Sequence, residues 1–252
     1  MSDSRPVAVY DSGVGGLTVA RAILDLLPNE PLLYLGDSAR MPYGPRPVEE
    51  IRGFALEIAA YLVSRDVKML VVACNSVEVA AIEDVTNASE IPVIGVIDPG
   101  VRAALHATRT RKVGVIGTEA TIASGAYERA VARTQLLTEL HSVACPAFVD
   151  HVEAGDTSSD ELVEIAREYL AELQRAEIDT LILGCTHYPL LSGLIQYVMG
   201  EDVLLISSAE ETAKDVYATL LERDIQRGDP EPLRRFGHSS GRAILLGLAL
   251  AC

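Results

Sequence analysis

Short apolar runs rich in β-branched residues alternate along this chain with longer segments whose apolar residues recur at helical spacing. The runs Val7–Tyr10, Leu32–Leu35, Met69–Ala73, Val93–Ile97, Val113–Ile116, Leu140–Ala144, Leu181–Leu183 and Val203–Ile206 predict strands. Between them, Val48–Ser64 carries Ile51, Ala55, Ile58, Ala59 and Leu62 on one helical face. Ser158–Gln174 predicts a second such helix, with Ser158 and Glu161 spaced as a capped start. Strands that alternate with helices predict an α/β fold with mostly parallel sheets. The apolar end "AILLGLALAC" is too short to span a bilayer and is expected to pack as a helix turn or a strand.

The pattern also repeats. "VAVYDSGVGG" from Val7 matches "VGVIGTEATI" from Val113, and "LVVACNS" from Leu70 matches "LILGCTH" from Leu181. Two matches in the same order and at nearly the same offset predict two related lobes. The expected division is 1–97 plus 208–252 for the first lobe and 98–207 for the second, with a helix from about Ala209 returning to the first. Ligands of parallel sheets bind beyond the carboxyl ends of the strands. Four loops lie there: Asp11–Gly16, Cys74–Ser76, Gly117–Thr121 and Cys185–Tyr188. If the lobes face each other, Cys74 and Cys185 stand on opposite walls of one cleft.

Composition narrows the chemistry. With 252 residues, 49% of them hydrophobic, a sizeable core can form. The formal charge of −15 argues against nucleic-acid backbones and anionic lipid. The start lacks a basic region followed by an apolar one, so a cytoplasmic location is expected, with reduced thiols. The four cysteines, Cys74, Cys145, Cys185 and Cys252, show neither a C-x-x-C pair nor zinc-type spacing, so no metal is expected.

"DSGVGGLT", residues 11 to 18, has the place of a nucleotide loop but not its chemistry. Thr18 stands where the dinucleotide fingerprint needs glycine, and the Gly-Lys pair of a P-loop is absent. Asp11 would repel a phosphate. The loop amides and Ser12 suit a carboxylate instead, while a plain tight turn accounts for the glycines equally well.

Cys145 and Cys252 read as small buried hydrophobes. Cys74 and Cys185 differ, because each sits where a strand ends and polar residues begin. Asn75, Ser76, Thr186 and His187 offer more donors and acceptors than a loop needs. Two matched thiols on opposite walls suit racemisation, in which a proton leaves one face of a carbon and another arrives on the opposite face. Asp11 would orient or deprotonate Cys74, and His187 would serve Cys185. Ser12, Ser76, Thr118, Thr121 and Thr186 would hold the substrate carboxylate.

Other readings stand beside this one. A pyridoxal Schiff base needs a lysine, yet Lys68 and Lys112 precede strands and Lys214 lies in a late helix, so no cofactor is expected. Side chains at i and i+2 of a loop seldom align as nucleophile and base, which weighs against Cys185 and His187 as a hydrolase pair. His106, His141, His151 and His238 read as surface or structural. Tyr43, in the loop "ARMPYGPRP", is either a lid over a ligand or an aromatic plug in a turn. Glu153 is either a solvated helix-face carboxylate or a cleft residue.

Together "DSGVGGLT", "PYG", "ACNS", "VIGTEATI" and "LGCTHYPLL" resemble the cofactor-independent aspartate/glutamate racemases, and the glutamate racemases in particular, over about Val7 to Glu211. The resemblance implies two pseudo-symmetric α/β lobes with mostly parallel sheets and the active site in the cleft between them. It implies Cys74 and Cys185 as the acid/base thiols, assisted by Asp11 and His187, with Glu153 as a further candidate. Asp11, Ser12, Tyr43, Gly44, Asn75, Ser76, Thr118, Thr121, Thr186 and His187 would contact glutamate. His187, where aspartate racemases carry an acid, favours the glutamate branch. The implied role is supply of D-glutamate for peptidoglycan. The implied partners are glutamate and a second copy of the chain in a homodimer. The alternatives are an aspartate or hydantoin racemase, or a protein that acts without turnover on a partner such as DNA gyrase, which some glutamate racemases restrain.

The chain departs from the family pattern at Ser76, where threonine is usual, and at Val77 and Glu78, where small residues are usual. A Glu78 turned toward the substrate would set a negative charge against an anion. The expectation is that it points to solvent, where an acid in a first helical turn is mildly stabilising.

Overall fold

The computed structural model describes residues 3–228, 236–240 and 243–248. Two compact units divide the chain: Met1–Val96 with Ala209–Cys252, and Ile97–Ser208.

The first unit runs β1 (Val7–Asp11), α1 (Leu17–Leu26), β2 (Leu32–Gly36), α2 (Val48–Val63), β3 (Met69–Val72), α3 (Asn75–Ala88) and β4 (Val93–Ile94). The second continues with α4 (Ile97–Ala107), β5 (Lys112–Gly117), α5 (Glu119–Ala123), α6 (Ala126–Arg133), β6 (Glu139–Ala144), α7 (Ala147–Glu153), α8 (Asp160–Arg175), β7 (Thr180–Gly184), α9 (Ser192–Met199) and β8 (Leu204–Ile206). The chain then returns to the first unit with α10 (Ala209–Glu222), β9 (Phe236–Ser240) and β10 (Ala243–Leu248).

Strand periodicity explains the layers of the first unit. Alternate side chains of a strand face opposite ways. Val7 and Val9 of β1 join a core with residues of α1 and α10, such as Ile23 and Val216. Ala8 and Tyr10 join a second core with α2 and α3, through Ile51, Leu62 and Val77. A strand covered on both faces reads as an unbroken apolar run rather than an alternating one. Each fully buried branched aliphatic side chain contributes on the order of 1.5–3 kcal/mol. In the second unit, α8 buries Leu162, Ala166, Leu170 and Leu173 on one stripe, against Leu181 and Leu183 of β7.

The two units repeat one topology. The four parallel strands of the first are ordered β4-β3-β1-β2, and the second sheet is ordered β6-β5-β7-β8. With β5 set against β1 and β7 against β3, the orders coincide. In each sheet the strand order reverses between the first and third strands, and ligands bind beside such a reversal. Both cysteine loops and both of their partner loops flank these two points.

Two expectations need correction, and one open choice is decided. The strand expected over Val93–Ile97 ends at Ile94, because Val96 gives its N–H to the Glu78 carboxylate and Ile97 opens α4. The capped start falls one residue later than expected: Ser159, not Ser158, accepts from Leu162 N–H at 3.2 Å. Of the two readings of the C-terminal apolar run, helix turn or strand, the strand holds: it contains β10, which pairs antiparallel with β2 and β9; Cys252 lies outside the described residues.

Candidate active site

Strand β1 delivers Asp11, fully buried, to the start of the glycine loop. Its carboxylate accepts from Gly13 N–H at 3.0 Å, an i to i+2 contact that closes a tight turn around Ser12. Strand β3 ends beside it, and Cys74 occupies the position just before α3. The Cys74 thiol donates to Ser12 Oγ at 3.5 Å. Asn75 and Ser76 are buried in the first turn of α3.

Two effects oppose each other at Cys74. Ser12 and the nearby amides, including that of Val77, favour a thiolate, while burial and the Asp11 carboxylate disfavour it. Burial is the larger, and the thiol is pushed up to about 11. At neutral pH it is a protonated acid that needs a neighbour to become a base.

Tyr43 is a buried plug, one of the two readings left open by the sequence. Its hydroxyl donates to Asp37 at 2.5 Å and accepts from the Tyr10 hydroxyl at 3.2 Å, and burial raises its pKa well above the ordinary value. Arg40 also reaches Asp37, at 2.5 Å, and Glu57, at 2.6 Å. This Asp37 cluster braces the loop that carries Tyr43 and Gly44. Asp37 directly follows β2 and so meets the same strand-end criterion as Asp11, a signal the sequence carries but which is not among the candidate residues above.

In the second unit, β5 ends at Gly117, and Thr118 caps α5 by accepting from Thr121 N–H at 3.3 Å. The two threonine hydroxyls lie 3.0 Å apart. Beside them β7 delivers Cys185, Thr186 and His187, all buried. Cys185 Sγ lies 3.6 Å from His187 Nδ1. Residues i and i+2 do meet here, because a 3-10 turn at Tyr188–Leu191 folds the loop back at once. His187 Nε2 lies 2.5 Å from Glu153 Oε1. Glu153 is therefore no bystander on a helix face: it closes α7 and spends its carboxylate on the imidazole.

The remaining assignments sort as follows. Cys145 is buried, and its thiol is pushed well up by desolvation, as suits a core residue. His106 is exposed, while His141 and His151 pair with Glu139 and Asp156 at 2.8 Å each. Glu78 does not point to free solvent as expected; its carboxylate accepts from Val96 N–H at 2.5 Å. Among the described residues, no group of three or more His, Cys, Asp or Glu side chains converges as metal ligands do. No helix among them is long and apolar enough to cross a membrane.

Two like-ordered α/β units, each ending its third strand in a thiol with its own polar neighbours, define the class to which comparison leads. The Asp/Glu/Hydantoin racemase family matches residues 16–216. The chain belongs to that family of isomerases. It is 58% identical to the glutamate racemase of Parafrankia sp. (strain EAN1pec) over 233 residues, covering 92% of this chain and 84% of that one. Its structure resembles that of glutamate racemase isoform RacE1 from Bacillus anthracis, with a TM-score of 0.84 and 44% identity over 90% of this chain and 85% of that one. It likewise resembles the glutamate racemase from Francisella tularensis in complex with D-glutamate, with a TM-score of 0.84 and 38% identity over 90% and 85% of the two chains.

Proposed function

We propose that this protein interconverts L- and D-glutamate without a cofactor, using Cys74 and Cys185 as the two acid/base groups. The observation that supports it most is the matched placement of the thiols: each follows the third strand of its unit and has its own polar neighbours, Ser12 and the Asp11 carboxylate at Cys74, His187 backed by Glu153 at Cys185. The glutamate racemases it resembles supply the substrate.

The reaction balances with protein groups alone. One sulfur, as thiolate, takes the α-proton and becomes a thiol. The other, as thiol, gives a proton to the opposite face and becomes a thiolate. The net change is an inverted centre, with the two sulfurs exchanged in protonation state and the roles reversed for the opposite enantiomer. Racemisation by this route requires the sulfurs to approach the α-carbon from opposite faces. Hydroxyls and amides of Ser12, Asn75, Ser76, Thr118, Thr121 and Thr186 would stabilise charge on the α-carboxylate as the proton leaves. Tyr43 and Gly44 would complete the glutamate contacts from the loop braced by Asp37. The product would serve peptidoglycan synthesis in the cytoplasm.

The test is incubation with L-glutamate in deuterated water. Deuterium is expected at Cα in step with loss of optical activity, and Cys74→Ala and Cys185→Ala are each expected to lower turnover by at least ~10³-fold. Full activity in either variant would refute the two-thiol assignment.

A further inference from the structure

The loop that carries Asp11 and Ser12 is held by a residue outside it. Tyr34, in the middle of β2, is fully buried, and its hydroxyl donates to the carbonyl of Gly13 at 2.7 Å. The register places Tyr34 opposite Val9 and Gly36 opposite Asp11. Gly36 leaves room for the same carbonyl: a Cβ there would lie 2.0 Å from Gly13 O. Gly16 leaves room for the phenol, since a Cβ there would lie 3.0 Å from the Tyr34 hydroxyl and 2.5 Å from the Asp11 Cβ. Gly13 is thus fixed from both ends, its N–H by Asp11 at 3.0 Å and its carbonyl by Tyr34. The neighbouring residue, Ser12, is the one that meets Cys74 Sγ at 3.5 Å.

We propose that Tyr34 is a positioning residue for the Cys74 half of the reaction: its hydroxyl locks the Gly13 peptide and so sets Ser12 and Asp11 against the thiol. Its described hydrogen bond goes to the loop backbone, so its part in the reaction is exerted through Gly13. The proposal rests on the racemase reading for its kinetic consequence and on geometry alone for the hold on the loop.

Tyr34→Phe removes one oxygen and keeps the ring that fills the core. Losing one buried hydrogen bond of this kind is expected to lower kcat about fivefold to tenfold while KM changes by less than about twofold. A general loss of folded enzyme would do the same, so the decisive kinetic readout is the primary isotope effect on kcat/KM with Cα-deuterated glutamate. If proton transfer at Cys74 alone is slowed, the effect rises for the enantiomer whose proton goes to Cys74 and falls for the other. Cys74→Ser fixes which enantiomer that is. Equal changes for both enantiomers, or none, would overturn the proposal.

A second measurement needs no turnover. Amide exchange followed by mass spectrometry is expected to speed up about tenfold in peptides covering residues 11–16 of the Tyr34→Phe protein, with β3 and the second unit unchanged. Unchanged protection of that loop would overturn the hold itself. Should the wild-type protein fail to exchange the α-proton of either enantiomer, the racemase reading fails, and the amide exchange alone decides the role of Tyr34. Gly36→Ala, whose Cβ would lie 2.0 Å from the same carbonyl, is expected to speed exchange in the same peptides.

Discussion

Glu153 Oε1 lies 2.5 Å from His187 Nε2, and the other nitrogen of that ring lies 3.6 Å from Cys185 Sγ. The carboxylate fixes the ring and favours a proton on Nε2, which leaves Nδ1 to exchange a proton with the sulfur. Glu153→Gln keeps a partner for the ring but removes the charged acceptor that orients it. We expect kcat to fall about tenfold in both directions with little change in KM, because the carboxylate acts through His187 rather than on substrate. His187→Ala should cost more, on the order of 10²–10³-fold. Steady-state polarimetry from each enantiomer checks both, and a Glu153→Gln enzyme with normal kcat would remove the carboxylate from the mechanism.

The Cys74 side carries a pH prediction. Burial, and then the Asp11 carboxylate, push this thiol up to about 11, above its ordinary value of 9.0. The rate of alkylation of Cys74 by iodoacetamide, followed by peptide mass spectrometry, should keep rising with pH past 9. Asp11→Asn removes the charge while its amide oxygen can still accept from Gly13 N–H. The variant should level off at lower pH and yet racemise more slowly if Asp11 is the proposed proton acceptor for Cys74. The sign for stability follows from the same shift. Protons held by the folded state and lost by the unfolded one stabilise the fold, so the contribution of this thiol is full below about pH 9 and is lost as pH climbs through about 11.

Much of this arrangement was legible in the sequence because strand ends are legible. A buried parallel strand is an apolar run, and its first polar residues mark where a site can be. Asp11, Cys74, Thr118 and Cys185 were all found in that way. What escaped was what depends on side chains reaching across the fold. Glu153 and His187 are 34 residues apart and meet only because α7 and the loop after β7 converge. Glu78 is an acid in a first helical turn by spacing, and nothing local says that it bends to Val96 18 residues on. Strand β10 was only half legible for a different reason: a short apolar run fits helix or strand alike.

A stability prediction concerns the opposite end of the first sheet. Lys68 Nζ is fully buried and donates to Glu30 Oε2 at 2.5 Å, Asp3 O at 2.8 Å and Ile225 O at 2.9 Å. Glu30 Oε1 in turn accepts from Arg227 N–H at 2.7 Å. This pair ties residues near both ends of the chain to the start of β3. Lys68→Met leaves a buried carboxylate without its cation and is expected to cost about 3–5 kcal/mol in urea unfolding. The double variant Lys68→Met, Glu30→Met should recover part of that loss, because no unpaired charge is left behind. A double variant less stable than Lys68→Met alone would show that the hydrogen bonds of Glu30, not its charge, dominate.

Glu78 supplies the last prediction, and it separates two roles for one carboxylate. Its oxygens fill the space beside Gly95, where a Cβ would lie 2.3 Å from Oε1, and Oε2 accepts from Val96 N–H at 2.5 Å. This contact pins the carboxylate to the backbone at Val96, which gives it a structural role there. Glu78→Gln keeps an acceptor for the amide and should change stability by no more than about 1 kcal/mol. Glu78→Ala strips the Val96 N–H of that acceptor and opens a void against Gly95, for a loss of about 1–3 kcal/mol. Neither variant should bind glutamate more tightly. If KM for glutamate falls severalfold in both variants, the charge is felt at the substrate after all, and the backbone contact is not its main role.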